Sequence, residues 1–259
     1  MDTTFNGEVD FHGVGAVASG VPQGGVIAAG KPVTMSFTVH NSSQGIESYF
    51  LDPRLDQYVT MPLASTTPSV NLTLPLSSVT SVPQWIVPTR TSQVSIAATS
   101  TAPVQFDSSP FNGEPDVGST AVGNNAFASY QAPQLGGSIT QGDWDVVPQP
   151  SGAFGGTSGT GNSTATVSMT AVSQAFNVDA VSNTGDLWQL GVNPNAAFTP
   201  VVVQPGGEAT LTLTVTPSQA AGSAVSGVVY LDDSTALSNN GPAPTGDELA
   251  AFPYHYTVQ

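Results

Sequence analysis

The sequence predicts an all-β chain arranged as β-sandwiches, and three observations predict it. The first is strict alternation in the stretch Val201–Pro217. A short apolar run (Val201, Val202, Val203) meets a Pro205-Gly206-Gly207 turn. Beyond it Ala209, Leu211, Leu213 and Val215 point one way, while Thr210, Thr212, Thr214 and Thr216 point the other. Period two is the pattern of a strand with one buried and one wet face. The second observation is that the same grammar recurs along the chain. The third is composition: 27 glycines and 21 prolines among 259 residues, with abundant serine and threonine and no long helical period. Many short strands joined by many turns require this. The hydrophobic fraction, 39%, suffices for a core.

Taken in order, Glu8–Val14 alternates and is expected as a first strand, with a turn at Val21–Gly25. Pro32–His40 follows, with Val33, Met35, Phe37 and Val39 inward and Thr34, Ser36, Thr38 and His40 outward. Ile46–Leu51 opens the next strand, and Asp52-Pro53-Arg54-Leu55-Asp56 reads as a short turn. Val70, Leu72, Leu74 and Leu76 mark another strand, and Val94, Ile96 and Ala98 another after a turn at Pro83–Pro88. Residues 107–125 carry turn signals, Ala126–Tyr130 and Gly142–Val147 read as strands, and Ser151–Asn162 reads as a flexible loop or linker. Ala165, Val167, Met169 and Ala171 share a strand face; Ala175–Val181 follows, with a turn at Ser182–Asp186. Val225–Leu231 suggests a strand buried on both sides, and Asp232–Glu248 a long polar loop. Phe252, Tyr254, Tyr256 and Val258 share the face of a last strand, where Pro253 demands an edge or non-bonded position. The two halves repeat one layout. This predicts a first sandwich over 1–112, a second over 161–259, and a loop-rich connection over 113–160 that packs on either domain.

Charge narrows the function classes. Three Lys and Arg stand against 18 Asp and Glu, a net charge of -15. Such a surface repels nucleic acid and anionic membranes, so nucleic-acid binding is not expected. No run of 18 or more apolar residues occurs, so no membrane span is expected. Broad charge attraction cannot drive self-association, and a monomer is expected. The chain has no cysteine, which excludes disulfides, thiolate metal sites and cysteine nucleophiles. Met1-Asp-Thr-Thr4 reads as a start placed before an excised fragment or as an artificial boundary, and either would have removed a targeting signal.

Each candidate site also has an ordinary structural role open to it. His12, His40 and His255 fall on polar strand faces without metal-ligand spacing. No nucleophile-elbow or related serine-hydrolase motif occurs. Asp143 and Asp145 flank Trp144 on one strand face; a tryptophan beside acids is a sugar-site ingredient, although a buried Trp144 is the simpler account. Trp85, Trp144 and Trp188 are the ligand-binding candidates, set against core packing. Asp232 and Asp233, with Glu114 and Asp116, offer oxygen ligands of the kind calcium prefers, though none matches an EF-hand; calcium is thus the candidate cofactor, and no other is expected. Asn41, Asn71 and Asn162 match the glycosylation acceptor pattern.

Three segments then take on a family look. They are Phe198–Pro217 with its Pro-Gly turn, Ala221–Asp232 with Gly222, Gly227 and Tyr230, and Asp247–Val258 with Pro253-Tyr254. Together they resemble the C-terminal fibronectin-III-like domain of secreted subtilisin-like serine peptidases, over about residues 164–258. Residues 30–112 resemble it in layout. The resemblance implies tandem immunoglobulin/fibronectin-III-like β-sandwiches in an extracellular, secreted or surface-attached, non-catalytic accessory region. The family's catalytic Asp, His and Ser motifs match nothing here, so any peptidase activity would belong to a longer parent. The implied partners are a protease catalytic domain, a protein substrate or cell-wall polysaccharide. The alternative is a carbohydrate- or cell-wall-binding module using exposed tryptophans.

Overall fold

The computed structural model describes residues 2–3, 14–73, 82–110, 117–132, 139–150, 162–235 and 245–259. The fold is all-β, a sandwich architecture of three sheets. A five-stranded sheet has the order β1 (Asp2–Thr3), β2 (Val14–Ser19), β4 (Val33–Asn41), β17 (Glu208–Val215), β15 (Ala180–Ser182). A four-stranded sheet runs β10 (Val117–Gly118), β9 (Val104–Pro110), β13 (Gly142–Pro150), β7 (Gln84–Val87). Between them stretches a ten-stranded sheet. Its path is β11 (Thr120–Val122), β12 (Asn125–Gln131), β8 (Thr91–Ser100), β14 (Asn162–Phe176), β5 (Glu47–Leu63), β18 (Ala224–Thr235), β19 (Thr245–Val258), β3 (Gln23–Ile27). Beside this path, β16 (Val201–Val203) pairs with β5 and β6 (Ser69–Thr73) pairs with β14.

Each smaller sheet packs on one part of the long sheet, giving two cores. In one, Met35, Phe37, Leu211 and Leu213 meet Leu51, Val229, Phe252 and Tyr256. In the other, Trp85, Phe106, Trp144 and Val146 meet Leu63, Ile96, Ala128 and Met169. Alternation produces both: β4 and β17 bury every second residue, and their wet faces pair hydroxyls, Thr34 with Thr214 at 3.0 Å and Thr38 with Thr210 at 3.2 Å.

The pairing crosses the boundaries expected from the sequence. β4 pairs with β17 from Val33↔Val215 to His40↔Glu208, and β5 pairs with both β14 and β18. Strands of 1–112 and of 161–259 thus build each sandwich together, while β13, within the expected connection, is a core strand between β7 and β9. Alternation specifies which face a strand buries and leaves its partner open. Of the expected first strand Glu8–Val14, only Val14 lies among the described residues.

Two expected irregular segments are strand. Asp52–Asp56 lies inside β5, a 17-residue strand about 55 Å long at about 3.3 Å per residue. Every residue from Tyr49 to Arg54 is buried there, because this segment is covered on both faces where the strand passes from one core to the other. Asp232–Ser234 continues β18, also buried, held between Phe50 and Tyr49 of β5 and residues of β19. β19 is itself interior, between β18 and β3. Pro253 is tolerated because its nitrogen points to the β3 side, where pairing begins only at His255.

Gly227 has a specific reason to be glycine. A Cβ there would lie 2.1 Å from the Arg54 carbonyl oxygen and 2.7 Å from the Tyr254 hydroxyl. That hydroxyl donates to the same carbonyl at 3.2 Å and accepts from Asn177 Nδ2 at 2.6 Å. Gly227→Ala should therefore destabilise by about 1–3 kcal/mol, as overpacking does. Urea unfolding checks this; an unchanged midpoint would contradict the close approach.

Candidate functional site

The concentration of charge lies where the two cores meet, on β5. Asp52 and Arg54 are two apart and so share a face, and both are fully buried. Arg54 Nε donates to Asp52 Oδ1 at 2.6 Å, and Arg54 Nη1 donates to the Gln174 carbonyl at 2.7 Å. The guanidinium carbon stands 3.8 Å from the centre of the Phe176 ring. Asp52 Oδ2 accepts from Thr89 Oγ1 at 3.1 Å and lies 3.5 Å from Arg90 Nη1.

Arg90 belongs to the tight turn between β7 and β8, with φ 57°, the one non-glycine among the described residues in the left-handed region. Its guanidinium stacks on the Tyr230 ring, 3.1 Å from the centroid, and donates to Glu248. Three acidic side chains surround it: burial opposes its charge, and Asp232, Asp52 and Glu248 favour it, leaving its pKa raised.

A 3-10 turn, Leu187–Gly191, closes the cluster. Asp186 caps it, Oδ1 accepting from the Trp188 backbone N–H at 2.9 Å. Trp188 is fully buried beside Phe50, at 5.9 Å between centroids, and Phe198 meets Phe50 edge-on at 5.5 Å. Trp188 Nε1 donates to Asp232 Oδ2 at 3.0 Å. The turn approaches β7 so closely that a Cβ on Gly191 would lie 2.4 Å from the Ile86 carbonyl oxygen.

The acids outnumber their counter-charges. Asp52, Asp186, Asp232 and Glu248 face Arg54 and Arg90. Burial pushes the Asp232 carboxyl up to about 8, with the negative charge of Asp52 adding to it, against opposition from Arg90 and from the Trp188 hydrogen bond. Asp186 is likewise pushed well above the usual carboxylate range, first by burial and then by Asp52. Asp232 Oδ1 and Asp186 Oδ2 are buried without a hydrogen-bond partner. Protons retained on these two acids would balance the cluster, leaving Asp52 and Glu248 to the two arginines. Chemically the arrangement is a buried ionic joint with more acids than counter-charges. Two cavities elsewhere among the described residues, of about 200 Å³ and about 270 Å³, are not lined by these side chains.

The sequence candidates fall as follows. Trp188 and Asp232 do meet. Asp232 and Asp233 are buried in β18, which corrects the expected exposed loop; Glu114 and Asp116 lie outside the described residues, as does His12. Among the described residues no three His, Asp or Glu are grouped to hold a metal. Trp85 and Trp144 sit opposite each other across β7 and β13, 2% and 1% exposed. An exposed tryptophan platform is therefore corrected to three core residues: the inward strand phase takes Trp85 and Trp144, and the capped turn takes Trp188. Asp143 and Asp145 occupy the face of β13 opposite Trp144. Asn41 is buried, donating to the Gly45 and Val203 carbonyls, whereas Asn71 is exposed and accepts from Thr164 Oγ1 at 3.1 Å. Arg54, Arg90, Asp52, Asp186 and Glu248 were not foreseen as one site. The available signal was scarcity: a chain with 3 Lys and Arg places two of them beside acids at its centre.

Trp188→Phe keeps the ring stack and removes the donor to Asp232. The expected loss is about 1–3 kcal/mol, the cost of another unsatisfied buried acceptor. Chemical denaturation monitored by circular dichroism measures it, and a loss below experimental error would place the hydrogen bond outside the energetics of the joint.

No family model matches the chain, and no curated protein matches it. Solved structures give distant likenesses. One is a family 123 glycoside hydrolase from Clostridium perfringens, at 7% identity and TM-score 0.31, covering 95% of this chain. The chain spans 27% of the length of that enzyme. Another is a human ASH/PapD-like domain, at 4% identity and TM-score 0.27, covering 94% of this chain and 83% of that one. AvmM, which catalyses macrocyclization in alchivemycin A biosynthesis, shares 8% identity at TM-score 0.27, covering 98% of this chain and 94% of that one. Among the described residues no helix is long and apolar enough to cross a membrane.

Proposed function

We propose that this chain is a rigid, non-catalytic accessory module of an exported protein, which stabilises, positions or attaches a secreted peptidase or a surface protein. The observation that carries this reading is where the chemically potent side chains lie. Both arginines, the acids Asp186 and Asp232 and all three tryptophans are built into the cores and the joint between them. The resulting body is two sandwiches fused through shared strands, a stiff spacer with an acidic, hydroxyl-rich exterior. The resemblance of residues 164–258 to accessory domains of secreted subtilisin-like peptidases supports the exported setting.

The test is made on the native source. Cells and culture supernatant are separated, the chain is detected with an antibody, and its intact mass is read. Detection outside the cell, as part of a polypeptide larger than 26.3 kDa or bound to one, is the expected result. Confinement to the cytosol would overturn the exported setting. Hydrolytic turnover by the purified chain, abolished by a point mutation, would overturn the non-catalytic reading.

A further inference from the structure

The outer face of the four-stranded sheet carries a feature that the ionic joint does not use. Between β7, β13, residues 64–66 and the segment after the 3-10 turn lies a cavity of about 200 Å³. It is smaller than the roughly 300–1,000 Å³ of drug-sized sites, so it suits a single side chain or a small molecule rather than an oligosaccharide. Ala64, Ile86, Leu190 and Pro194 give it apolar walls, Ser65 and Thr66 supply hydroxyls, and Asp143 supplies the one acid.

The two acids of β13 differ here. Asp145 Oδ1 accepts from Gln84 Nε2 at 3.0 Å. Asp143 Oδ1 is buried with no hydrogen-bond partner. No Lys, Arg or His lines the cavity, and both arginines of the chain are held in the ionic joint. That oxygen is closed to the cavity, so a cation there meets the rest of the Asp143 carboxyl, which lines the cavity half-buried and without a basic partner; a hydrogen-bonding cation offsets such desolvation. The net charge of -15 raises the local concentration of any cation. Among cations, the lining selects one with an aliphatic stem, since the walls offer apolar contact and a strongly hydrated metal ion would gain nothing from them.

We propose that this cavity binds a primary alkylammonium group, with Asp143 as its counter-charge, the hydroxyls of Ser65 and Thr66 as further acceptors, and the Ile86, Leu190 and Pro194 walls around its methylene stem. A lysine side chain presented by a partner and a free alkylamine share this chemistry. The site stands apart from the accessory-module reading and can fail without it.

The experiment titrates the intact chain with n-butylammonium chloride at low ionic strength and pH 7.5, following backbone amide shifts. Nα-acetyl-lysine methylamide forms a second arm and n-butanol a third. The expected result is saturable, one-site movement of the Ser65, Thr66, Ile86 and Leu190 amides with butylammonium, and none with butanol. Equal or tighter binding of the lysine amide assigns the site to a presented lysine; its failure beside binding of butylammonium assigns it to a free amine. Asp143→Asn should weaken binding by about tenfold or more, the scale of one charge-assisted hydrogen bond. A measurement independent of any variant is the pH profile. Burial, with the nearby Asp145, pushes Asp143 up to about 6, so affinity should fall between pH 7.5 and 5. Neither β7 nor residues 64–66 nor 190–194 carries another titratable side chain to account for that loss. Unsaturable shifts spread over the acidic surface, equal binding by Asp143→Asn, or equal binding of butanol would each overturn the proposal.

Discussion

Arg54→Ala is expected to destabilise the protein by about 3–5 kcal/mol, the range for removing one partner of a buried ion pair. The substitution leaves Asp52 buried without its 2.6 Å donor and frees the Gln174 carbonyl, which now accepts from Nη1. It also strips the stacking partner from Phe176. The loss comes largely from stranding Asp52, because the attraction within a buried pair is mostly offset by the cost of desolvating both ions. The double variant Asp52→Leu with Arg54→Met should accordingly lose much less than Arg54→Ala alone. Urea denaturation of both variants forms the test. Equal losses would show that Arg54 matters through packing on Phe176 rather than through charge.

Stability should fall as pH rises from about 4 to about 8, by a few kcal/mol in all. The sign follows from Asp232 and Asp186, whose folded-state pKa values are raised, to about 8 for Asp232. In the unfolded chain an aspartate releases its proton near pH 4. Between that pH and about 8 the native state holds more protons than the unfolded state, so each step upward favours unfolding. Their contribution is fully present below pH 4 and lost once pH passes the folded value. Asp143, raised to about 6, adds to the same trend over the lower part of the window. The melting temperature measured from pH 5 to pH 8.5 should therefore decline, and Asp232→Asn should flatten the upper part of that decline. A melting temperature that rises across this window would refute the protonated state of the joint.

The fold class was legible because alternation is a local property. Val33, Met35, Phe37 and Val39 name the buried face of β4 whatever lies beside it, and the same holds for Leu211, Leu213 and Val215 of β17. Pairing was not legible: nothing in either stretch says that they lie side by side. The site was read in part. Trp188 and Asp232 stood out individually, but Asp52-Pro53-Arg54 carries the composition of a turn, and Asp232–Ser234 that of a solvated loop. Both are strand because each lies where two packed layers meet, so that buried carboxylates find arginines and a tryptophan from distant parts of the chain. The tryptophans misled for the converse reason. Aromatic rings suit a ligand platform and a core equally, and strand phase decides between them.

The long shared strands bear on how the protein comes into being. β5 is made early, yet it lies between β14 and β18, and the hydroxyl of Tyr254 reaches the carbonyl of Arg54 across 200 residues of sequence. The Thr34–Thr214 pair spans 180. The sandwich that contains β4 and β17 waits for β18 and β19, whereas the strands of the other all lie between β5 and β14. Non-local pairing of this kind makes folding slow and leaves strand edges exposed for a long interval. Abundant glycine, proline and negative charge oppose aggregation through those open edges during the interval.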